Sequence, residues 1–165
     1  MYKLANSLPY LFNRVGARMG ELFSKRLKPH DSTLSMYRVL ASLHERGDQR
    51  LSELSDITNL ELSTLSRLIG VIEDRQLVTR HRLEGNARVV AINLTPQGRR
   101  LVEELIPLAL EFENIAIHSF GLKEVASLKK GMVEIYDHLN APGPQAMSAA
   151  LASKSDFFVT RSVGC

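Results

Sequence analysis

Ser63, Thr64, Ser66 and Arg67 stand within one short stretch of the chain. Three hydroxyls beside one guanidinium form a donor set suited to base edges and phosphate oxygens. Arg67 carries the fork that fits the acceptor pair on a guanine. Further along come Arg80, Arg82, Asn86 and Arg88, and an arginine on a projecting ribbon can enter a minor groove and sense its width while its neighbours bind phosphate. The charge is distributed to match. Seven arginines and three acids (Glu73, Asp74, Glu84) lie between Leu62 and Arg100, an excess of four positive charges in a chain whose net charge is +3. Taken singly, each arginine reads equally well as a solvated surface residue or a helix cap; the clustering is what separates this segment from the rest.

These groups need elements to hold them. From Ser7 to Leu27, Leu8, Leu11, Phe12, Val15, Met19, Leu22 and Phe23 recur at spacings of three and four, the stripe of an amphipathic helix. Pro29 and Asp31 mark a break. A second helix is expected from Thr33, its N-cap, to Arg46, with Leu40 and Leu43 buried and Gly47 closing it. Two short helical units follow. One runs from Ser52, its cap, to Thr58, with Leu54 and Ile57 inward; the other runs from Glu61 to Asp74, with Leu65, Leu68, Ile69 and Ile72 on one face. So short a joint forces a sharp crossing, and such a pair is a helix-turn-helix whose second member carries Ser63 to Arg67.

The period then changes. Val78, Arg80 and Arg82 alternate with other residues, Glu84-Gly85-Asn86 supplies a turn, and Val89 to Leu94 is apolar and β-branched, which together predict a hairpin. Thr95-Pro96 opens a long helix through Leu101, Leu105, Leu108, Phe112, Ile115 and Ala116 to about Phe120, stopped by Gly121. A last helix is expected from Leu122 to Leu139, with Val125, Leu128, Met132, Val133, Tyr136 and Leu139 inside. From Ala141 onward Pro142, Gly143, Pro144 and an Ala/Ser-rich run predict a flexible tail, in which Phe157-Phe158-Val159 is apolar enough to dock.

In that order of elements the local words Leu54-Ser55, Thr64-Leu65-Ser66-Arg67-Leu68-Ile69, Leu77-Val78-Thr79-Arg80 and Leu94-Thr95-Pro96-Gln97-Gly98 resemble the MarR family of winged helix-turn-helix transcriptional regulators. The likeness extends from about Leu8 to Leu139, and its specificity lies in order and spacing together. It implies a mainly α fold with a small β-hairpin wing: a winged helix-turn-helix flanked by N- and C-terminal dimerisation helices. The expected segments are residues 1–32 (N-terminal dimerisation helix), 33–100 (DNA-binding domain), 101–140 (C-terminal dimerisation helices) and 141–165 (tail). Two positions depart from the family pattern. Gln76 stands where the family usually has glycine, so a strained or differently closed helix end is expected. Asn86 stands two residues before Arg88 where the family has aspartate, which removes a carboxylate that would hold that arginine at the wing tip.

One recognition helix reads too few base pairs, so a homodimer on double-stranded DNA is expected, with two such helices about one helical turn, ~34 Å, apart. Long apolar stripes on the flanking helices serve that dimer, or equally an ordinary core within one chain. The resemblance also implies release by a small phenolic or carboxylate effector in the crevice between the dimerisation helices and the winged domain. Tyr10, Arg14, Arg18, Tyr37, Arg38 and His44 are the candidate lining residues, since arginine and tyrosine in an apolar cleft suit an anionic aromatic ligand; each reads as well as a surface arginine or a partly buried aromatic. Repression is the mode that family habit implies.

Other chemistry is weakly supported. His30, His44, His81, His118 and His138 show no HxxxH or HExxH spacing and have no cysteine partners, so no metal site and no cofactor are expected. Cys165, the single cysteine, lies in the expected tail and suits neither a structural disulfide nor a thiol switch. There is no GxSxG, P-loop or dinucleotide fingerprint, and an enzyme is not expected. The first residues lack a signal-peptide or membrane-span pattern, which points to a cytoplasmic protein away from the membrane. A winged module that binds protein instead of DNA is the alternative. It would present an acidic or apolar recognition face, whereas this face is hydroxyl-rich and basic.

Overall fold

Amphipathic stripes and their caps account for most of the secondary structure. In the computed structural model, which describes residues 3–83 and 86–140, the helices are α1 Leu8–Leu27, α2 Leu34–Arg46, α3 Leu51–Thr58, α4 Leu62–Asp74, α5 Pro96–Ala116 and α6 Leu122–Asn140. The strands β1 Gln49–Arg50, β2 Val78–Leu83 and β3 Asn86–Leu94 form one antiparallel sheet in the order β1-β3-β2. The chain divides into two units, one ending at Ala116 and the other beginning at Ile117, so the division falls within the segment 101–140. The expected tail, 141–165, lies outside the described residues.

The caps at two helix starts follow the sequence reading. Thr33 Oγ1 accepts the Met36 N–H at 3.2 Å, and Thr95 Oγ1 accepts the Gly98 N–H at 3.0 Å ahead of Pro96, each satisfying a donor that the helix leaves open. The start of α3 differs. Its N-cap is Arg50 and not Ser52; the Glu53 carboxylate accepts the Arg50 N–H at 2.6 Å. The cause is β1, which the sequence reading lacked: Gln49 pairs with Ile92 and Arg50 with Ala91, so the chain enters the helix directly from an extended strand. The wing is therefore a three-stranded sheet rather than a hairpin alone. Gln49 is buried and satisfied, accepting from Ser42 Oγ at 3.0 Å and donating to the Ser42 carbonyl at 2.8 Å.

Most of the core is one cluster that includes Val39, Leu40 and Leu43 of α2, Leu54 of α3, Leu65, Ile69 and Ile72 of α4, Val78, Ile92 and Leu94 of the sheet, and Val102 of α5. A smaller cluster joins Phe23 and Leu27 of α1 to Leu105 of α5, with Tyr37 and Phe112 packed on it. Ile57, expected inward, is 38% exposed, because Leu54 and Thr58 already supply the buried face of so short a helix. The long helix ends at Ala116, short of Phe120; a turn closes there with Phe120 N–H on the Ile117 carbonyl at 2.9 Å. The expected inner face of α6 is not inside: Leu128, Met132, Val133, Tyr136 and Leu139 are exposed, Val125 is half-buried, and no α6 residue is buried. Leu8, Leu11 and Val15 of α1 are exposed likewise, since the small cluster takes its buried α1 side chains from Phe23 and Leu27 alone. A stripe at helical spacing specifies an apolar face but not what covers it.

Where α4 hands over to the sheet, Gln76 has φ 57, with its N–H on the Glu73 carbonyl at 2.7 Å and the Leu77 N–H on the Ile72 carbonyl at 3.1 Å. This is a Schellman closure with the glycine position filled by glutamine. Thr95 spans the same point. Its N–H reaches the Leu77 carbonyl at 3.0 Å and its hydroxyl donates to the Gln76 carbonyl at 2.6 Å. Gly98 is bound to glycine here, since a Cβ would lie 1.9 Å from the Leu77 oxygen. Gln76→Gly is expected to raise stability by about 0.5–1 kcal/mol through relief of the left-handed conformation, and Gly98→Ala to lower it by about 1–3 kcal/mol through overpacking. Urea unfolding followed by circular dichroism measures both, and a Gln76→Gly variant no more stable than the parent would contradict the strain.

Candidate nucleic-acid interface

The joint between α3 and α4 sets the geometry of this face. Asn59 closes α3 with φ 54, a conformation asparagine tolerates better than most residues. Within the joint, the Ser55 hydroxyl donates to the Leu60 carbonyl at 2.6 Å. Leu65, Ile69 and Ile72 bury one face of α4, so residues three and four apart on the opposite side, Ser63, Ser66 and Arg67, point away from the core. Those three and Thr64 are all exposed. Among the described residues Arg67 has no ion-pair partner. Glu61 precedes the helix without a side-chain cap, and an uncapped N-terminus presents N–H groups and positive dipole charge to an anion.

Strand alternation puts Arg80 and Arg82 on the same side of β2 as buried Val78. Arg80 reaches α4, with its Nε 3.3 Å from a Glu73 carboxylate oxygen, both side chains being well exposed. It is therefore a tethered cation, whereas Arg82 is exposed and free of ion pairs among the described residues. The strand register shifts between Arg82 and Leu83, and such an irregularity locally bends and twists a ribbon. Asn86 and Arg88 belong to β3, but their side chains, like residues Glu84 and Gly85, lie outside those described. His81, of opposite parity on β2, sits 2.7 Å from the Asp48 carboxylate and ties the wing to the corner before β1.

The six candidate effector residues are less unified. On α1, the Arg14 guanidinium lies 5.7 Å from the centroid of the Tyr10 ring, and Arg18 pairs with Glu21 at 2.8 Å. On α2, Tyr37 packs edge-on against Phe23 at 5.1 Å, Arg38 is exposed, and His44 has a buried Nδ1 without a hydrogen-bond partner among the described residues. Among the described residues no hydrogen bond, ion pair or ring contact joins the α1 trio to the α2 trio. Nor do those residues hold three metal-ligating side chains together or a helix long and apolar enough to cross a membrane.

Arg75, not singled out in the sequence, links the end of α4 to the α1–α2 corner: its guanidinium donates to the Asp31 carbonyl and lies 3.7 Å from the Met36 sulfur. Its place beside the left-handed Gln76 was the one available signal.

A helix pair crossing at a short joint, a strand pair projecting beyond it and a third strand bracing the base define a winged helix-turn-helix. Residues 33–90 match the model of the MarR family. It is 33% identical over 93 residues to the uncharacterized HTH-type transcriptional regulator YsmB of Bacillus subtilis, a match covering 56% of this chain and 64% of that relative. The chain thus spans just under two thirds of that relative's length. Among solved structures, Bordetella bronchiseptica BpsR, described with regulation of its DNA binding by 6-hydroxynicotinic acid, superposes with TM-score 0.75 at 23% identity, covering 83% of this chain and 98% of BpsR. A mutant Escherichia coli MarR complexed with operator DNA gives TM-score 0.70 at 22% identity, covering 78% and 92%. At those identities the likeness concerns the fold.

Burial, with the Glu113 charge as a smaller cause, raises the Tyr37 phenol above its ordinary value of 10.0. The fold thus favours the neutral phenol, a contribution complete below pH about 10 and lost as pH rises through the raised value. An ultraviolet titration should show a late-ionising tyrosine that Tyr37→Phe removes; loss of an ordinary-range tyrosine instead would refute it.

Proposed function

We propose that this chain is a DNA-binding transcriptional repressor that acts as a homodimer on a pseudo-palindromic operator and is released by a small phenolic or carboxylate ligand. The observation that carries the reading is the outward face of α4. Its exposed hydroxyls and Arg67, which has no ion-pair partner among the described residues, stand opposite an apolar inner face, with Arg80 and Arg82 on the adjoining strand. Ser63, Thr64, Ser66 and Arg67 read the major groove; Arg82, with Asn86 and Arg88 at the wing, meets the flanking backbone and minor groove. Arg80, held by Glu73, serves as an oriented phosphate contact.

The exposed apolar faces of α1 and α6 support a second copy as partner, since each lacks a cover among the described residues of its own unit. The operator complex of the structurally similar MarR supports the DNA reading. BpsR supports the effector class, because 6-hydroxynicotinic acid combines a ring hydroxyl with a carboxylate. In this chain Tyr10, Arg14, Arg18, Tyr37, Arg38 and His44 are the proposed effector residues. The site of action is the cytoplasm, and no catalytic step is involved.

Gel shifts at two salt concentrations, using the DNA upstream of the protein's own coding region and unrelated DNA as competitor, test the reading. Competitor-resistant binding that weakens with salt is expected; equal affinity for every duplex would favour a protein-binding module. Arg67→Ala should lose about 1–3 kcal/mol of specific binding, and an unchanged operator preference would remove its assigned role. Arg82→Ala should weaken binding to all duplexes and lower the salt slope by about one. A slope equal to that of the parent would place Arg82 off the backbone.

A further inference from the structure

The glycines of the winged segment are not equivalent. Gly98 is required by the Leu77 carbonyl, and Gly47 by its φ of 77. Gly70 has neither reason. It sits within α4 in ordinary helical backbone, and a Cβ placed there would meet nothing within 4 Å. Glycine in a helix interior sacrifices about 0.5–1 kcal/mol relative to alanine, so the chain forgoes stability at a position where its own packing asks for no glycine. The position is telling. Gly70 follows Ser63 by seven residues and Arg67 by three, which aligns all three on the side of α4 facing away from Leu65, Ile69 and Ile72.

We infer that Gly70 is a specificity-determining position, the point at which the recognition helix makes its tightest approach to operator DNA. The inference rests on the DNA-binding reading above. With no side chain at Gly70 and only hydroxymethyl groups at Ser63 and Ser66, the helix backbone lies deep against base edges, and Arg67 remains the one long donor on this line. Loosely seated binding to unrelated DNA, which is held by phosphate charge, does not reach this depth and does not sense Gly70.

The test uses the full chain and a duplex recovered by selecting random DNA with the unmodified protein. Gly70→Ala removes the helix penalty and should raise the thermal midpoint by about 1–3 °C while weakening binding to the selected duplex. Gly70→Leu should weaken it further, by at least about tenfold, the scale of one mismatched base pair. Affinity for unrelated DNA and the salt slope should stay at the parent values in both. Selected-duplex affinity equal to the parent in both variants would overturn the inference while leaving the DNA-binding reading intact. An equal loss on selected and unrelated DNA would also overturn it, since that pattern reports general damage. Failure of the unmodified protein to enrich any sequence would remove the inference and the underlying reading together.

Discussion

The coupling of α4 to the wing passes through two peptide groups, Gln76 and Leu77. The left-handed turn at Gln76 ends the recognition helix, and the next residue begins the wing. Both of their carbonyls are held by Thr95, which simultaneously caps the helix that leaves the wing. Gly98 lets α5 lie directly on the Leu77 oxygen. One threonine therefore fixes the end of α4, the root of β2 and the start of α5 to one another.

Stability and orientation come from different interactions. Full burial of Leu65, Ile69 and Ile72 is worth about 1.5–3 kcal/mol for each side chain. Exposed ion pairs such as Arg80–Glu73 give about 0–1 kcal/mol each, so they do not hold the fold together. Their worth is directional. Arg75 on the Asp31 carbonyl, Arg80 on Glu73 and His81 on Asp48 brace the periphery of the winged unit at separate points, while the apolar cluster beneath leaves rotation of the outer elements less tightly determined.

The order and type of the helices were legible because each rests on a repeated signal, with stripe, cap and stop agreeing. Thr33, Thr95 and Gly47 did what their types predict, and the strain expected at Gln76 from its departure from glycine is present. β1 was not legible, since two residues are too few to show alternation and Gln49 looks like a surface residue until Ser42 is seen to satisfy it. Ile57 and the α6 stripe mark a different limit. Periodicity predicts that a face is apolar but not which partner buries it, so the same pattern gave a buried face on α4 and exposed ones on α6 and the first half of α1. The outward placement of Ser63, Thr64, Ser66 and Arg67 followed from helix phase alone. The ties of Arg75 and Arg80 depend on residues distant in sequence or on another element, and no local pattern carries them.

The two kinds of arginine on this face differ in what they can contribute. A cation already bound to a carboxylate must share its donors with that partner, but its side chain is ordered in advance, which reduces the entropy lost on meeting a phosphate. A free cation keeps every donor and pays that entropy in full, a loss best offset by a bidentate acceptor of fixed geometry such as a guanine edge. Arg80 has the properties of a backbone contact and Arg67 those of a base reader. The division follows from Glu73, which lies on the last turn of α4 and pairs with Arg80 of β2. On the reading proposed above, the Glu73 carboxylate would thereby separate a positioning arginine from a reading one.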